Sequence, residues 1–299
     1  MKFIEINHTN YGFAKDFKHD QEIRTSFNAL TEATFDFNFE NWYQNGYWID
    51  NYIPYSLLHK NKVISNVSVN KMEFIIENEK KAAIQIGTVM TDKAYRNRGL
   101  SQYIMKQVIN EWKDKSDFIY LFANDSVLDF YPKFGFEIVD EYQYSTAPRS
   151  TNTLKPSFKK LNIDDKNDRE LFLSLVNDSR PISKLSMQNN ISLIMFYCSS
   201  FKKNSIYYLE QLKAAILMHI ADGTLYLDDV FSKEGVKLKD VIQFITDTTI
   251  KRVVLGFTPL DETDYQRSLL KTGDTLFVIK DKADYFKNKK WRFPVLSHA

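Results

Sequence analysis

Residues 83–101 read Ala-Ile-Gln-Ile-Gly-Thr-Val-Met-Thr-Asp-Lys-Ala-Tyr-Arg-Asn-Arg-Gly-Leu-Ser, and this stretch decides how the first half of the chain folds. The apolar run that ends near Met90 predicts a buried strand. A short polar loop with Arg96 and Arg98 follows, and Gly99 then opens a helix with a regular apolar stripe. A strand that leads through a tight loop into an amphipathic helix is typical of an α/β sheet.

The loop has the physical properties of an anion-binding site. The N–H groups of the first helical turn lack intrahelical partners, and the helix dipole favours negative charge there. Arg96 and Arg98 add positive charge, and Gly99 lets a phosphate approach the backbone without meeting a Cβ atom. The loop has neither the G-x-x-x-x-G-K-[ST] pattern of a P-loop nor the three glycines of a dinucleotide-binding turn, so neither site is predicted.

The composition predicts a globular protein without a metal, a disulfide or a membrane span. The 299 residues are 43% hydrophobic and 26% charged with a net charge of +2, which indicates a folded chain of two domains and no affinity for nucleic acid. Cys198 is the single cysteine, and the five histidines form no ligand-spaced pair. No apolar run is long enough for a membrane span and the N-terminus lacks a signal-peptide pattern, so we expect a cytoplasmic protein.

Strands and helices follow each other in two similar series, which predicts a mixed α/β fold present as two tandem copies. The first series occupies residues 1–147, a polar segment at 148–156 is the expected linker, and the second series occupies 157–299. Strands are expected at 2–7, 55–59, 63–76, 82–90, 118–123, 136–139, 143–146, 206–209, 213–220, 224–231, 252–257 and 275–280. Helical segments are expected within 13–52, 99–113, 125–134, 165–200, 238–248 and 262–270.

The loop and a second motif together resemble the GNAT acetyltransferase superfamily. The cofactor loop of that family reads [RQ]-x-x-G-x-[GA], and Arg96-Asn97-Arg98-Gly99-Leu100-Ser101 fits it with serine in the last place. The segment Phe130-Tyr131-Pro132-Lys133-Phe134-Gly135-Phe136, preceded by Asn124, is similar to the block in which an asparagine and a tyrosine face the thioester. The resemblance covers residues 1–147 well and implies a GNAT acyl-CoA N-acyltransferase fold, acetyl-CoA as cosubstrate and direct acetyl transfer to an amine in a ternary complex.

The resemblance also implies roles for individual residues. The N–H groups of the loop would bind the CoA pyrophosphate, and the strand before the loop would pair with the pantetheine arm. A bulge near Gly87 and Thr88 would open the slot between strands, and Tyr131, with Asn124 beside it, would act as general acid toward the CoA thiolate. The implied cofactor-binding residues are Val89, Met90, Thr91, Arg96, Asn97, Arg98, Gly99, Leu100, Ser101, Asn124 and Tyr131.

The group that accepts the proton of the amine is left open by these patterns. The family often uses a glutamate on the strand where this chain has Gln85, and an amide cannot act as a base. The candidates are therefore Glu73, Asp92, Glu40, the carboxylate of Ala299 and a chain of water molecules.

An aromatic segment before the cofactor strand is the expected wall of the acceptor site. Residues 35–55 hold nine aromatic side chains with acids nearby, a combination that can bind a cationic amine. We expect Glu40, Trp42, Tyr43 and Tyr47 to bind a basic small molecule, a polyamine-like amine or a protein amine.

The second half is expected to be a degenerate copy that shapes the acceptor pocket. At the position of the cofactor loop it reads Ser232-Lys233-Glu234-Gly235-Val236-Lys237, and the carboxylate of Glu234 would repel a pyrophosphate. Gln266 or Leu269 is expected near the place of the tyrosine. The alternative function is a non-catalytic acyl-CoA-binding sensor or interaction module, and a homo-oligomer is compatible with the sequence.

Overall fold

The computed structural model describes residues 2–148, 158–271 and 273–298, so the expected linker lies outside the described residues apart from its first position. Strands β1 to β8 are Lys2–Ile6, Thr9–Lys15, Tyr52–His59, Lys62–Ile76, Glu79–Thr91, Phe118–Ala123, Phe136–Ile138 and Tyr142–Thr146. Strands β9 to β16 are Lys159–Lys160, Leu185–Gln188, Ile206–Leu209, Ala214–Ala221, Thr224–Phe231, Arg252–Leu255, Gln266–Leu269 and Thr275–Ile279. Helices α1 to α7 are Gln21–Phe35, Glu40–Gln44, Leu100–Trp112, Lys166–Asn177, Ile191–Cys198, Leu238–Ile245 and Lys280–Lys289.

The strands form two mixed sheets. The first has the order β1-β2-β3-β4-β5-β6-β16-β7, with β10 paired to the far end of β4. The second has the order β15-β8-β14-β13-β12-β11-β9. Each sheet contains a parallel pair, β5 with β6 and β13 with β14, and the other pairings are antiparallel. The mixed α/β architecture in two units is therefore confirmed.

The two halves exchange one strand each. β16, near the C-terminus, pairs with β6 and β7 in the first sheet. β8, which follows β7 in sequence, pairs with β14 and β15 in the second sheet. In each sheet the exchanged strand lies between the second strand of the parallel pair and the edge strand. The strand at 142–146 therefore belongs to the second sheet, contrary to expectation, and a division at residue 147 does not separate the two sheets.

A shared irregularity supports the duplication. In the first sheet the register of β4 against β5 shifts between Asn66 and Ser68. In the second sheet the register of β12 against β13 shifts between Leu217 and Met218. In both copies the extra residue lies on the strand that starts the parallel pair, opposite its antiparallel neighbour. A bulge adds one residue to one strand and is conserved within a protein family. Its presence at equivalent places in both sheets therefore indicates that the two halves have a common origin.

Helix α3 packs on the first sheet through its apolar stripe. Leu100, Ile104, Met105 and Val108 are buried at the i, i+4, i+5 and i+8 spacing read from the sequence. The same core includes Phe277 of the exchanged strand β16, so the first sheet is packed with side chains from both halves. Within the described residues no helix is long and apolar enough to cross a membrane.

Several expected helical segments are wrong or shorter. Strand β10 divides the segment 165–200, and the helix expected at 238–248 ends at Ile245. The segment 262–270 is the edge strand β15, because its backbone pairs with the exchanged strand β8. The segment 125–134 contains two 3-10 turns, Asp125–Val127 and Tyr131–Phe134, and Pro132 lacks the N–H that a longer helix needs. The segment 13–52 begins as strand β2 and has helices only at α1 and α2.

Glu141 is a buried carboxyl between β7 and β8, where the two halves meet. Its Oε1 accepts a hydrogen bond from the N–H of Phe293 at 2.9 Å, and its carbonyl accepts one from the N–H of Leu270 at 2.9 Å. Burial raises its pKa to about 7, against about 4.3 for an unfolded glutamate. The folded protein therefore binds more protons than the unfolded chain between these values, so stability falls as pH rises from about 4.3 to about 7 and stays reduced above.

We predict that Glu141→Gln stabilises the protein at pH 8 and does so much less at pH 5. Glutamine keeps an oxygen for the Phe293 N–H but removes the buried charge, whose cost is about 1.4 kcal/mol per unit of raised pKa. Thermal unfolding at both pH values measures this as a rise in Tm of about 2–4 °C per kcal/mol. Glu22→Gln, at an exposed acid in the first turn of α1, is the control; an equal change at both pH values in Glu141→Gln would contradict the prediction.

Candidate active site

A cleft opens where β5 and β6 part. Their parallel pairing ends at Ile86 and Leu121, although β5 continues to Thr91 and β6 to Ala123. The register shift of β4 against β5 falls opposite Gly87 to Met90, which confirms the bulge expected near Gly87 and Thr88. The cleft that results has a volume of about 1020 Å³ and runs from the loop before α3 to residues of the second half.

The backbone of Thr88, within the bulge, has a strained conformation. Its φ is +47°, a value that a β-branched residue rarely adopts. Buried polar side chains stabilise it: the Oγ1 of Thr88 lies 2.8 Å from the hydroxyl of Tyr52, and the Nδ2 of Asn66 donates to its carbonyl at 2.8 Å. Ser68 and Ser56 complete this network by hydrogen bonds of 2.8 Å each. The network fixes the backbone at the place where β5 turns away from β6.

The loop before α3 presents backbone donors to the cleft. Gly99 has a φ of +75° and begins α3 without a hydrogen bond from a capping side chain, so the N–H groups of the first turn remain available to an anion. Arg96 donates to the carbonyl of Thr91 at 3.2 Å, and Arg98 donates to the carbonyl of Ala94 at 2.9 Å. These bonds anchor both guanidinium groups beside the donors. The residues from 95 to 102 all line the cleft.

Tyr131 and Asn124 also line the cleft, and Asn124 directly follows β6. Tyr131 is 4% exposed and lines the cleft from the second 3-10 turn. Burial, with a contribution from the charge of Asp274, raises its pKa to about 12. The Oδ1 of Asn124 accepts hydrogen bonds from the N–H and the Oγ of Ser126 at 3.1 and 2.5 Å, so this side chain also starts the first 3-10 turn.

Three of the candidate bases have structural roles and do not line the cleft. Glu73 lies three residues beyond Asn70 of β4, accepts from Asn189 at 2.7 Å and pairs with Lys80. Asp92 caps the 3-10 turn at Lys93–Tyr95. Glu40 pairs with Arg24 at 3.1 Å, and this hydrogen bond lowers its pKa. The fourth candidate, Ala299, lies outside the described residues.

The expected acceptor wall is present only in part. Trp42 lines the cleft, but it is buried and its Nε1 donates to the carbonyl of Ser192 at 2.8 Å. Tyr43 lies away from the cleft with its ring 3.8 Å from the guanidinium of Arg24. Tyr47 also lies away from it and packs in the core under α4 and α5. The side chains that replace them along the cleft are Phe35, Phe37, Phe39 and Tyr52.

The second half, which we expected to shape the acceptor pocket, contributes six side chains to the cleft that no sequence motif identified. Leu193, Phe196 and Tyr197 come from α5, Phe201 follows that helix, and Asp274 and His298 lie near the C-terminus. Asp274 directly precedes the exchanged strand β16, whose Thr275 pairs with Ala123. Strand exchange brings Asp274 to the cleft, and no local pattern in the sequence predicts this.

The corresponding slot of the second half is filled. Here the pairing of β13 with β14 ends beside the bulge, where the N–H of Gly256 donates to the carbonyl of Leu227 at 2.7 Å. A Cβ on Gly256 would lie 2.8 Å from the carbonyl oxygen of Asp228 and 2.9 Å from the side chain of Val295. The N–H of Val295 donates to the carbonyl of Gly256 at 2.9 Å. The chain's own segment at Val295 thus takes the place that opens as the cleft in the first half.

Residues 7–139 match the model of a family described as acetyltransferase (GNAT) domain. This range contains the bulge, the anion-binding loop and Tyr131, so the family match and the geometry concern the same site. Residues 7–139 therefore form a domain of the GNAT acetyltransferase type. No match was found among curated protein sequences.

Solved structures with the same fold extend over both halves. A probable N-acyltransferase from Enterococcus faecalis V583 is 16% identical and covers 92% of this chain and 74% of its own, with a TM-score of 0.57. A GCN5-related N-acetyltransferase from Kribbella flavida is 15% identical, with coverages of 91% and 73% and a TM-score of 0.56. Eis1 from Mycobacterium abscessus is 12% identical, with coverages of 91% and 75% and a TM-score of 0.58. At these identities the likeness shows the fold alone.

We predict that acetyl-CoA raises the Tm of the wild type by several degrees and that Gly99→Glu abolishes this shift. A ligand at about 100 times its Kd stabilises the folded state by about 2.7 kcal/mol, and a carboxylate at the loop would repel the pyrophosphate. Gly46→Glu is a matched control, because Gly46 has a φ of +76° against +75° at Gly99 and both positions have open space around a Cβ. Gly46 does not line the cleft. A full shift in folded Gly99→Glu would rule out the loop as the binding site.

Proposed function

We propose that the protein transfers the acetyl group of acetyl-CoA to a primary amine in the cleft between β5 and β6. The observation that carries this proposal is the parting of the two strands beside a helix N-terminus without a side-chain cap, with a buried tyrosine among the residues that line the cleft. Strand separation offers backbone groups to an extended ligand arm. The helix N-terminus offers donors to its phosphates. These two features suit a ligand such as acetyl-CoA, which carries a pyrophosphate on one end of a long amide-containing arm.

In this proposal the residues from Arg96 to Ser101 bind the pyrophosphate, and the backbone of Val89 to Thr91 pairs with the pantetheine arm. The N–H near Val89 polarises the thioester carbonyl, a type of contact whose loss costs about 10²–10³ in rate. The second half binds no acetyl-CoA, because Val295 fills the equivalent slot.

The amine nitrogen attacks the thioester carbon, the bond from carbon to sulfur breaks, and the CoA thiolate leaves. A pKa of about 12 for Tyr131 lies well above that of a thiol, about 8.5. Full proton transfer from the tyrosine to the thiolate is therefore uphill. We infer that Tyr131 acts mainly by donating a hydrogen bond to the sulfur as negative charge develops on it.

We propose that a chain of water molecules accepts the proton of the attacking amine, because Glu73, Asp92 and Glu40 have other partners and do not line the cleft. Gln85 stays unsuitable as a base, and its Oε1 accepts from Asn70 in the floor of the cleft at 3.2 Å.

We predict that Tyr131→Phe lowers kcat by tenfold or more while the affinity for acetyl-CoA is retained. The variant loses the hydroxyl that stabilises the leaving thiolate and keeps the ring that packs on Phe277. CoA release with an amine panel gives kcat, and the acetyl-CoA thermal shift gives binding. Tyr103→Phe, on α3 and outside the cleft, is the control. Acetyl-CoA binding without any amine-dependent CoA release in the wild type would favour the sensor alternative.

We also predict that the wild-type rate rises with pH between 7 and 9 and shows no descending limb below pH 10. An alkylamine with a pKa of about 10.4 is almost fully protonated at pH 7, so its reactive neutral fraction grows about tenfold per pH unit. Tyr131 stays protonated throughout this range because burial raises its pKa to about 12. Initial rates of CoA release at subsaturating amine measure the profile. A descending limb near pH 8–9 would contradict the assigned state of Tyr131.

A further inference from the structure

Asp274 is an exposed residue that places a carboxylate in the cleft, at the end where β6 stops. Thr275 pairs with Ala123 in antiparallel register, so Asp274 lies beside the segment that begins at Asn124. Its charge contributes to the raised pKa values of both Tyr131 and Tyr197, and all three residues line the cleft. Of the described residues that line the cleft, it is the single carboxylate.

His298 offers an unused hydrogen-bonding atom at the same end. Its Nε2 is shielded from solvent and has no partner among the described residues. The ring is held in place, because it stacks on Phe122 with a centroid distance of 3.5 Å and the His298 carbonyl accepts from the Tyr197 hydroxyl. A buried polar atom without a partner costs about 1–3 kcal/mol unless a ligand satisfies it. The atom therefore points to a ligand group that donates or accepts a hydrogen bond here.

The outer part of the cleft is aromatic and contains no described carboxylate. We call Phe35, Phe37, Phe196 and Phe201 the aromatic mouth. Phe37 is at the centre, with ring centroids at 6.0 Å from Phe35 and 5.7 Å from both Phe196 and Phe201. Phe201 is 59% exposed and Phe35 is 38% exposed, so apolar surface remains uncovered at the entrance. A polycation would find no second carboxylate along this path.

Tyr197 connects the two ends. Its ring lies 5.7 Å from that of Phe196 and 6.4 Å from that of Phe201, and its hydroxyl reaches His298. A ligand that runs along Tyr197 thus passes from apolar rings to a carboxylate and an imidazole. This order of groups matches a molecule with an apolar body and one terminal ammonium.

We propose that the acceptor is an amphipathic primary amine, alkyl or arylalkyl, whose ammonium is bound by Asp274 and His298 and whose apolar body packs against the aromatic mouth. The inference rests on the proposed acetyl transfer and narrows its acceptor. It also gives the second half a role, since it supplies Asp274, His298 and half of the aromatic mouth.

The test compares n-alkylamines from ethylamine to hexylamine, 2-phenylethylamine and the hydrophilic polycation spermidine as acceptors for the full chain. Each buried methylene is worth about a fourfold gain in kcat/KM, so we expect at least a tenfold rise from ethylamine to hexylamine. Phenylethylamine should behave like hexylamine. Spermidine should be a poorer acceptor than hexylamine.

Two variants separate the two ends of the proposed site. Phe201→Ala should flatten the dependence on chain length, and Phe244→Ala, at a phenylalanine that is 40% exposed outside the cleft, should not. Asp274→Asn should lower kcat/KM for every amine about fivefold and leave the chain-length dependence intact. Asp129→Asn, at an exposed aspartate outside the cleft, is its control.

Calorimetry of hexylamine binding in the presence of CoA decides the inference independently of turnover. Weaker hexylamine binding in both Phe201→Ala and Asp274→Asn supports the proposed amine site. If the wild type binds hexylamine in this way but releases no CoA, the amine site stands and only the proposed acetyl transfer fails. Spermidine turnover that exceeds hexylamine turnover, or unchanged chain-length dependence in Phe201→Ala, would overturn the inference and leave acetyl transfer intact. The inference would also be overturned if the protein preferred hexanoyl-CoA to acetyl-CoA, if Phe201→Ala removed this preference, and if amine length had no effect. That result would assign the aromatic mouth to an acyl chain.

Discussion

The backbone pairing of β16 with β6 and of β8 with β14 is the constraint on which the rest of this structure depends. A strand inside a sheet must have its N–H and C=O groups paired on both sides. Each half therefore completes the sheet of the other, and neither half has a complete sheet alone. The cleft lies at this junction, because β16 starts where β6 ends, beside Asn124.

The two copies of the fold differ in what occupies the slot beside the bulge. Both have the register shift next to the parallel pair. In the first copy β5 and β6 separate, and Thr88 is held at a strained φ by Tyr52 and Asn66. In the second copy Val295 enters the slot and binds the backbone of Gly256. Strain that is maintained beside an open cleft is typical of functional sites, whereas the filled slot has become part of the core.

The electrostatics of the cleft also depend on both halves. Burial in the first half accounts for most of the raised pKa of Tyr131, and Asp274 from the second half adds to it. Acids near the expected acceptor wall have other partners: Glu40 is paired with Arg24 and Glu32 accepts from Asn38. An acidic residue close in sequence to a binding wall therefore does not predict negative charge in the cleft, because its carboxylate can instead bind a neighbouring arginine or amide.

By itself the sequence determined the α/β class, the strand, loop and helix around Gly99 and the bulge near Gly87. It also determined the resemblance of the segment around Tyr131 to the GNAT acetyltransferases. These features are local: apolar spacing, a glycine at a positive φ and residues a few positions apart specify them. The tertiary structure alone decided which sheet received Tyr142–Thr146 and Thr275–Ile279, which aromatic rings face the cleft, and that Asp274 and His298 lie there. Strand partners far apart in sequence are chosen by the packing of the whole fold, and a short polar segment such as Gln266–Leu269 becomes a strand only because an exchanged neighbour pairs with it.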